Sequence, residues 1–376
     1  MRTLFRRLGG LALSFIATLA PAASPGVTDG AVSIGMSAPF TGPNGAYGVA
    51  MREAIAAYFA RLNKAGGING RKVELVSLDD GYEVERTVAN TRTLINEKKV
   101  FALVAYYGSS STTSAMEVFS AEKVPLVGTI SGADSLRMPP NRYMFNVRAS
   151  YANETEAIVR QLTSLGVNRI AVFYQNDGFG KSGLDGVTAS LKKSNLTPVA
   201  VASVERNSLE VAPAVQAIAK ANPQAIVMIT LFKPTAEFVR QLRKQGQQPQ
   251  FMTLSPVGAD ALAKELGDEA RGIGISQVMP YPWDTTVAMV GEYQALLGKA
   301  GENAYYGLEG MAMAKVLVEG LRRSGRDLTR DKLVSSLETL NDFDLGGYRI
   351  GFGPSDRSGS RFVDLTVIGA GGSVLR

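Results

Sequence analysis

VFALVAYYGSSSTTSAMEVFSA, residues 100–121, is the stretch from which the rest of the chain can be read. An apolar run rich in β-branched and aromatic residues, Val100 to Tyr106, stops at Gly108. Six consecutive hydroxyl residues follow, Ser109 to Ser114, and then apolar residues at helical spacing: Ala115, Met116, Val118 and Phe119. The pattern predicts a strand, a tight turn and the start of a helix. A helix start presents unpaired N–H groups and positive partial charge, so it holds anions well. Ordinary Ser/Thr capping accounts for one or two of the hydroxyls. A seat for a carboxylate accounts for the remainder.

Outward from that unit the same alternation repeats. Strands are expected at Ala31–Met36, Val73–Leu78 and Pro125–Gly128, with helices to about Lys64 and over Glu83–Asn96. Met138-Pro139-Pro140-Asn141 breaks the series, and Tyr143 to Val147 reads as extended chain. A second series starts at Tyr151, with strands at Arg169–Tyr174, Pro198–Ser203, Ala225–Leu231, Phe251–Met252 and Ile273–Val278. After Pro280-Tyr281-Pro282 come helices and a glycine-rich pair of strands, Tyr348–Phe352 and Phe362–Ile368. Strand–helix alternation implies parallel sheets with right-handed crossovers. Two series joined by extended segments imply an α/β protein of two lobes. Ligands of open α/β sheets bind beyond the carboxyl ends of the strands. The unusual loops lie there: Phe40–Gly48, Tyr107–Ser114, Thr129–Ser135 and Gln175–Gly180. Lobes whose loops face each other form a cleft that closes by hinge motion.

Composition removes several chemistries. The 376 residues contain no Cys and no His, which excludes Ser-His-Asp and Cys-His nucleophiles, His/Cys zinc sites and disulfides. No catalytic or metal-binding set is assigned. Gly42, Gly45 and Gly48 are spaced G-x-x-G-x-x-G, so close helix–strand packing is favoured over a dinucleotide site, and no cofactor is expected. Asp79-Asp80 reads as a local cap rather than a catalytic pair. Tyr47, Tyr106, Tyr107, Phe179 and Phe232 fall in or beside strand-end loops, where aromatics either edge the core or enclose an organic ligand. Arg2, Arg6 and Arg7 precede the apolar run Leu8–Leu19 and Ala20-Pro21-Ala22, the pattern of an export signal cleaved near Ala22. No Cys follows, so no lipoprotein anchor is expected. Without those three arginines 37 basic residues face 34 acidic ones, a formal +3 that gives no reason to propose nucleic acid.

The ordered set VSIGMSAPFTGPNGAYG, LNKAGGINGRKVELVSLDDGYE, YGSSST, QNDGFGKSG, VRQLRKQGQQPQFM and GLEGMAMAKVLVEGL resembles the leucine/isoleucine/valine-type periplasmic binding proteins of ABC importers. The resemblance spans nearly the whole mature chain. It implies a type I periplasmic binding protein fold: two Rossmann-like lobes with parallel-sheet cores joined by a three-strand hinge. The expected division is 1–22 signal peptide, 23–146 plus 280–357 lobe 1, and 147–279 plus 358–376 lobe 2. By the same resemblance Ser109 takes a ligand carboxylate, and Ile130, Ser131 and Gly132 supply backbone groups and a hydroxyl. Tyr47 matches a tyrosine of the first loop, and Phe179 and Leu231 or Phe232 match aromatics that close from the second lobe; Tyr107 joins the expected site as the strand-end aromatic before Ser109. Branched-chain amino acid binders carry an acid for the ligand ammonium where Ser255 stands here. The amine seat is therefore altered, and a carboxylate with an apolar or aromatic body and no α-amine is expected. An amino acid whose amine meets Asp80 or Asp134 is the alternative. The implied role is non-enzymatic capture by a monomer in the periplasm and delivery to an inner-membrane ABC permease. A ligand sensor of the same fold, or an exported α/β enzyme, are the competing readings.

Overall fold

The computed structural model describes residues 24–298 and 300–376, so the export signal expected at the N-terminus lies outside the described residues. The first sheet contains β1 (Ala31–Ala38), β2 (Lys72–Asp79), β3 (Ala102–Tyr107), β4 (Leu126–Ile130) and β5 (Met144–Phe145). Its order is β2-β1-β3-β4-β5 and every pair is parallel. β3 and β4 are apolar without alternation because helices cover both faces. On one face lie α1 (Gly45–Lys64) and the late helix α10 (Ala304–Ser324). On the other lie α2 (Val84–Arg92), extended by a π turn to Glu97, and α3 (Ser109–Ala121).

Chain direction then changes sheets. α4 (Tyr151–Ser164) starts with a capping box at Ser150 and Asn153. It leads into β6 (Ile170–Gln175), α5 (Gly178–Lys193), β7 (Val201–Val204), α6 (Ala212–Lys220), β8 (Ala225–Ile229), α7 (Phe232–Lys244), β9 (Gln250–Thr253), α8 (Ala259–Leu266) and β10 (Gly274–Gln277). The chain returns to the first lobe for α9 (Ala288–Leu297), α10, α11 (Arg330–Glu338) and a small hairpin of β11 (Phe343–Asp344) and β12 (Arg349–Ile350). β13 (Asp364–Ile368) and β14 (Val374–Leu375) close the second sheet, ordered β14-β13-β10-β9-β8-β6-β7. Three crossings thus join the lobes. The first and third run side by side: Asn146 N–H donates to the Arg357 carbonyl at 2.8 Å and Gly359 N–H to the Asn146 carbonyl at 2.7 Å. No helix among the described residues is long and apolar enough to cross a membrane.

Three expectations are corrected. Tyr348–Phe352 and Phe362–Ile368 are not partners: β12 pairs with β11, and β13 pairs antiparallel with β10. Gly346 and Gly347, at φ 107° and 91°, close the β11–β12 turn, with both N–H groups on the Asp344 carboxylate. The Gln175–Gly180 loop is half helix, because Asp177 Oδ1 accepts from Phe179 and Gly180 N–H and starts α5 at Gly178. Finally, none of the α3 hydroxyls makes a side-chain capping bond.

Candidate functional site

The N-terminus of α3 lies at the carboxyl end of β3, where the parallel sheet leaves its crevice. Ala105 (φ 54°) and Gly128 (φ 79°), one step apart from paired residues in β3 and β4, kink the strands just before that end. The hydroxyls that do not cap are used sideways. Ser109 Oγ lies 2.7 Å from Ser131 Oγ and 3.4 Å from the Tyr151 hydroxyl. Thr112 pairs with Thr129 at 2.8 Å and Thr113 with Ser135 at 3.0 Å. Ser110 Oγ reaches the other lobe, accepting from Gly178 N–H at 3.2 Å. Ser111 Oγ is buried and unpartnered.

Ser109, Ser131 and Tyr151 therefore form one hydroxyl group drawn from both lobes. Ser131 also holds its own loop by accepting from Ala133 N–H at 3.1 Å. Gly132 lets α4 approach: a Cβ there would lie 2.4 Å from Tyr151 N and 2.5 Å from its ring. The Ile130 carbonyl already accepts from Gly108 N–H at 3.1 Å, so it fixes the turn before α3. Burial, with a smaller push from Glu154, raises the Tyr151 pKa against Arg148 and Ser109, so its hydroxyl keeps its proton.

Two guanidinium groups lie behind this cluster. Arg137 is buried and donates to the Ala133 carbonyl at 3.0 Å and the Arg148 carbonyl at 3.1 Å. Among the described residues it has no ion-pair partner, and burial lowers its pKa to about 10. Arg148 is buried with Glu154 at 2.9 Å and Glu309 at 3.7 Å. Its guanidinium also contacts Ser255 Oγ. Glu154 is fully engaged, accepting from Ser255 N–H at 2.9 Å and Ser276 Oγ at 2.6 Å as well. Burial raises the Glu309 carboxyl to about 7, against the pull of Arg148. With Glu309 protonated, the two guanidiniums face one carboxylate.

Aromatics fill the space between the lobes. Tyr47 stacks on Tyr306 with centroids 4.3 Å apart, lies 6.3 Å from Tyr107 and meets Phe232 edge-on at 6.2 Å. The Tyr47 hydroxyl donates to the Val257 carbonyl at 3.1 Å, and Tyr306 to the Pro256 carbonyl at 2.9 Å. Both acceptors belong to the turn that Ser255 opens. Tyr107 is buried with its hydroxyl unpartnered. Phe179 packs at 5.1 Å against Tyr151. The lobes are thus in contact, and Ser109 and Ser131 are sealed from solvent.

Of the nine sequence-predicted residues, Ser109, Ser131, Gly132 and Phe179 gather around Tyr151, Tyr47, Tyr107 and Phe232 meet in the aromatic group, Ser255 stands against Arg148, and Ile130 ends β4 with its carbonyl on Gly108 N–H. Of the two acids weighed for an amine, Asp80 is buried on Ser37 Oγ, Thr87 Oγ1 and Tyr82 N–H, while Asp134 is exposed. Sequence reasoning missed Arg137, Arg148, Glu154, Glu309, Tyr151 and Tyr306. FNVRASYANE carried a signal for two of them, since an Arg and a Glu flank the start of a capped helix. Tyr151 lies in that same stretch without a mark of its own, and Arg137, Tyr306 and Glu309 lie outside it and had none.

A model of the periplasmic binding protein family matches residues 31–373. A substrate-binding periplasmic protein from Ralstonia solanacearum has a similar structure, 35% identical with a TM-score of 0.85, covering 92% of this chain and 99% of that one. A possible leucine/isoleucine/valine-binding protein from Rhodopirellula baltica SH 1 is 31% identical, with a TM-score of 0.86 and 91% and 95% coverage. An amino acid binding protein of Pseudomonas aeruginosa is 27% identical over 239 residues, 63% of each chain. A two-lobed α/β architecture and a match over nearly the whole described chain lead to one assignment: this chain belongs to the periplasmic binding protein family.

Proposed function

We propose that this protein is a non-enzymatic periplasmic solute-binding protein that captures a small carboxylate between its lobes and delivers it to an ABC permease. The observation that carries the reading is the buried group of Ser109, Ser131 and Tyr151 at the N-terminus of α3. The carboxylate docks on Ser109, Ser131 and the free N–H groups of the first helical turn, lobe 2 swings in, and Tyr151 and Phe179 cover it. Arg137, without an acid of its own, favours an anion there. The ligand lacks an α-amine: Glu154 and Asp80 are engaged, Asp134 is exposed, Glu309 is pushed toward its neutral form by burial beside Arg148, and Ser255 faces a guanidinium. An ammonium placed there would be buried without a counter-charge.

The test is a thermal-shift screen of α-amino acids against aliphatic and aromatic carboxylates, followed by calorimetry on Ser109→Ala. Carboxylates without an amine should stabilise the protein. The substitution should remove about 1.5–3 kcal/mol of binding, roughly tenfold to a hundredfold in affinity, with the empty protein's melting temperature nearly unchanged. Stabilisation by α-amino acids alone would defeat the amine-free reading, and an unaltered dissociation constant in the variant would defeat the seat.

A further inference from the structure

Resting on that reading, we infer that the captured carboxylate carries an apolar tail reaching a second compartment at the mouth of the cleft. A cavity of about 350 Å³ lies there, walled by Pro43, Asn44 and Glu83 of lobe 1 and by Gln175, Leu209 and Phe232 of lobe 2. It stays open although the lobes touch on either side of it. Asn207 Nδ2 donates to Glu83 Oε1 at 3.1 Å, bridging the lobes, and Gln175 Nε2 reaches the Tyr82 hydroxyl at 3.4 Å. Closure therefore does not consume this space.

Phe232 links the compartment to the interior, since it lines the cavity and also packs edge-on against Tyr47. A ligand the size of a free amino acid, held at Ser109, leaves the compartment empty. A longer one passes Phe232 and occupies it. The volume is that of a small-molecule site, well beyond the needs of a carboxyl group. The walls are mixed, but Pro43, Leu209, Leu231, Phe232 and Pro234 give them more apolar than polar surface, which suits an apolar tail, with Leu209 half exposed into solvent. Of the polar wall residues Asn44 and Gln175 are buried and uncharged, Gln175 being engaged with Asp177 at 2.8 Å, and the charged Glu83 and Lys233 are solvent-exposed. No buried charge waits there for a second ionic group.

The experiment is calorimetric titration of the full chain with acetate, butanoate, hexanoate and octanoate, repeated on Leu209→Trp, which fills the cavity. Affinity should rise by about fourfold per added methylene once the tail passes Phe232. In Leu209→Trp the rise should vanish, with octanoate no tighter than butanoate. Affinity independent of length in the unaltered protein, or a rise that survives in Leu209→Trp, overturns the tail compartment while the carboxylate seat stands. Failure of every acid to bind overturns both.

Discussion

Two polar groups are buried between the lobes, and they are built on opposite principles. At Ser109, Ser131 and Tyr151 the partners are neutral hydroxyls whose protons can turn toward one another or toward a guest. At Arg148 and Glu154 the partners are opposite charges, fixed by Ser255 N–H and Ser276 Oγ on the carboxylate and with Glu309 3.7 Å from the guanidinium. Exchanging one hydroxyl bond for a bond to a ligand is nearly neutral, whereas opening the ion cluster leaves a charge uncompensated. The first group is suited to binding and release. The second ties the first hinge crossing to α4 of one lobe and α10 of the other, so it suits holding the scaffold.

The contrast is most sharply tested by Glu154→Ala. That change strands Arg148 and removes the acceptor of Ser255 N–H and Ser276 Oγ. Chemical denaturation should show a loss of about 3–5 kcal/mol, against almost none for Ser109→Ala. Equal losses in the two variants would erase the distinction.

Glu309 adds a pH signature. Its folded pKa of about 7 lies above the ordinary 4.5 because burial outweighs the attraction of Arg148. Between those values the folded state holds a proton that the unfolded state has lost. Stability should therefore be full below about pH 4.5 with respect to this group and fall as pH rises toward 7, by roughly 3 kcal/mol in total. Denaturation across that range should show the slope, and Glu309→Gln should flatten it. An unchanged slope in the variant would move its origin elsewhere.

A smaller effect concerns how the lobes stay shut. Arg206 lies 3.7 Å above the Tyr82 ring, donates to the Tyr82 carbonyl, and pairs with Asp177 at 2.7 Å, so it spans the cleft. Arg206→Ala should cost about 1–2 kcal/mol of closed state, seen as roughly tenfold weaker carboxylate binding and a larger radius in X-ray scattering of the empty protein. Unchanged scattering and affinity would show that the tyrosine bonds to Pro256 and Val257 suffice.

Asp79 and Asp80 show where local reading succeeds. The sequence marks the pair as a cap, and Asp79 does hold the Phe40–Thr41 turn, with Phe40 N–H at 2.7 Å, while Asp80 fixes Tyr82 N–H. The spacing of Gly48 implies close packing, and a Cβ there would lie 1.8 Å from the Pro39 carbonyl oxygen. Both are contacts within one βαβ unit, β1–α1–β2. The α3 hydroxyls were legible as a group, but their partners were not, because Ser131 and Tyr151 arrive from another strand end and from the other lobe.

The chain's own order of residues determined the alternating α/β pattern, the two lobes and the hydroxyl-rich helix start, since apolar periodicity and turn chemistry are local properties. Tertiary structure alone decided that Arg148 would stand beside Ser255, that Tyr47 and Tyr306 would stack, and that a compartment would survive at the cleft mouth. Those facts depend on how the three crossings bring residues more than a hundred positions apart into contact, and burial then sets which charges and hydroxyls remain free to meet a ligand.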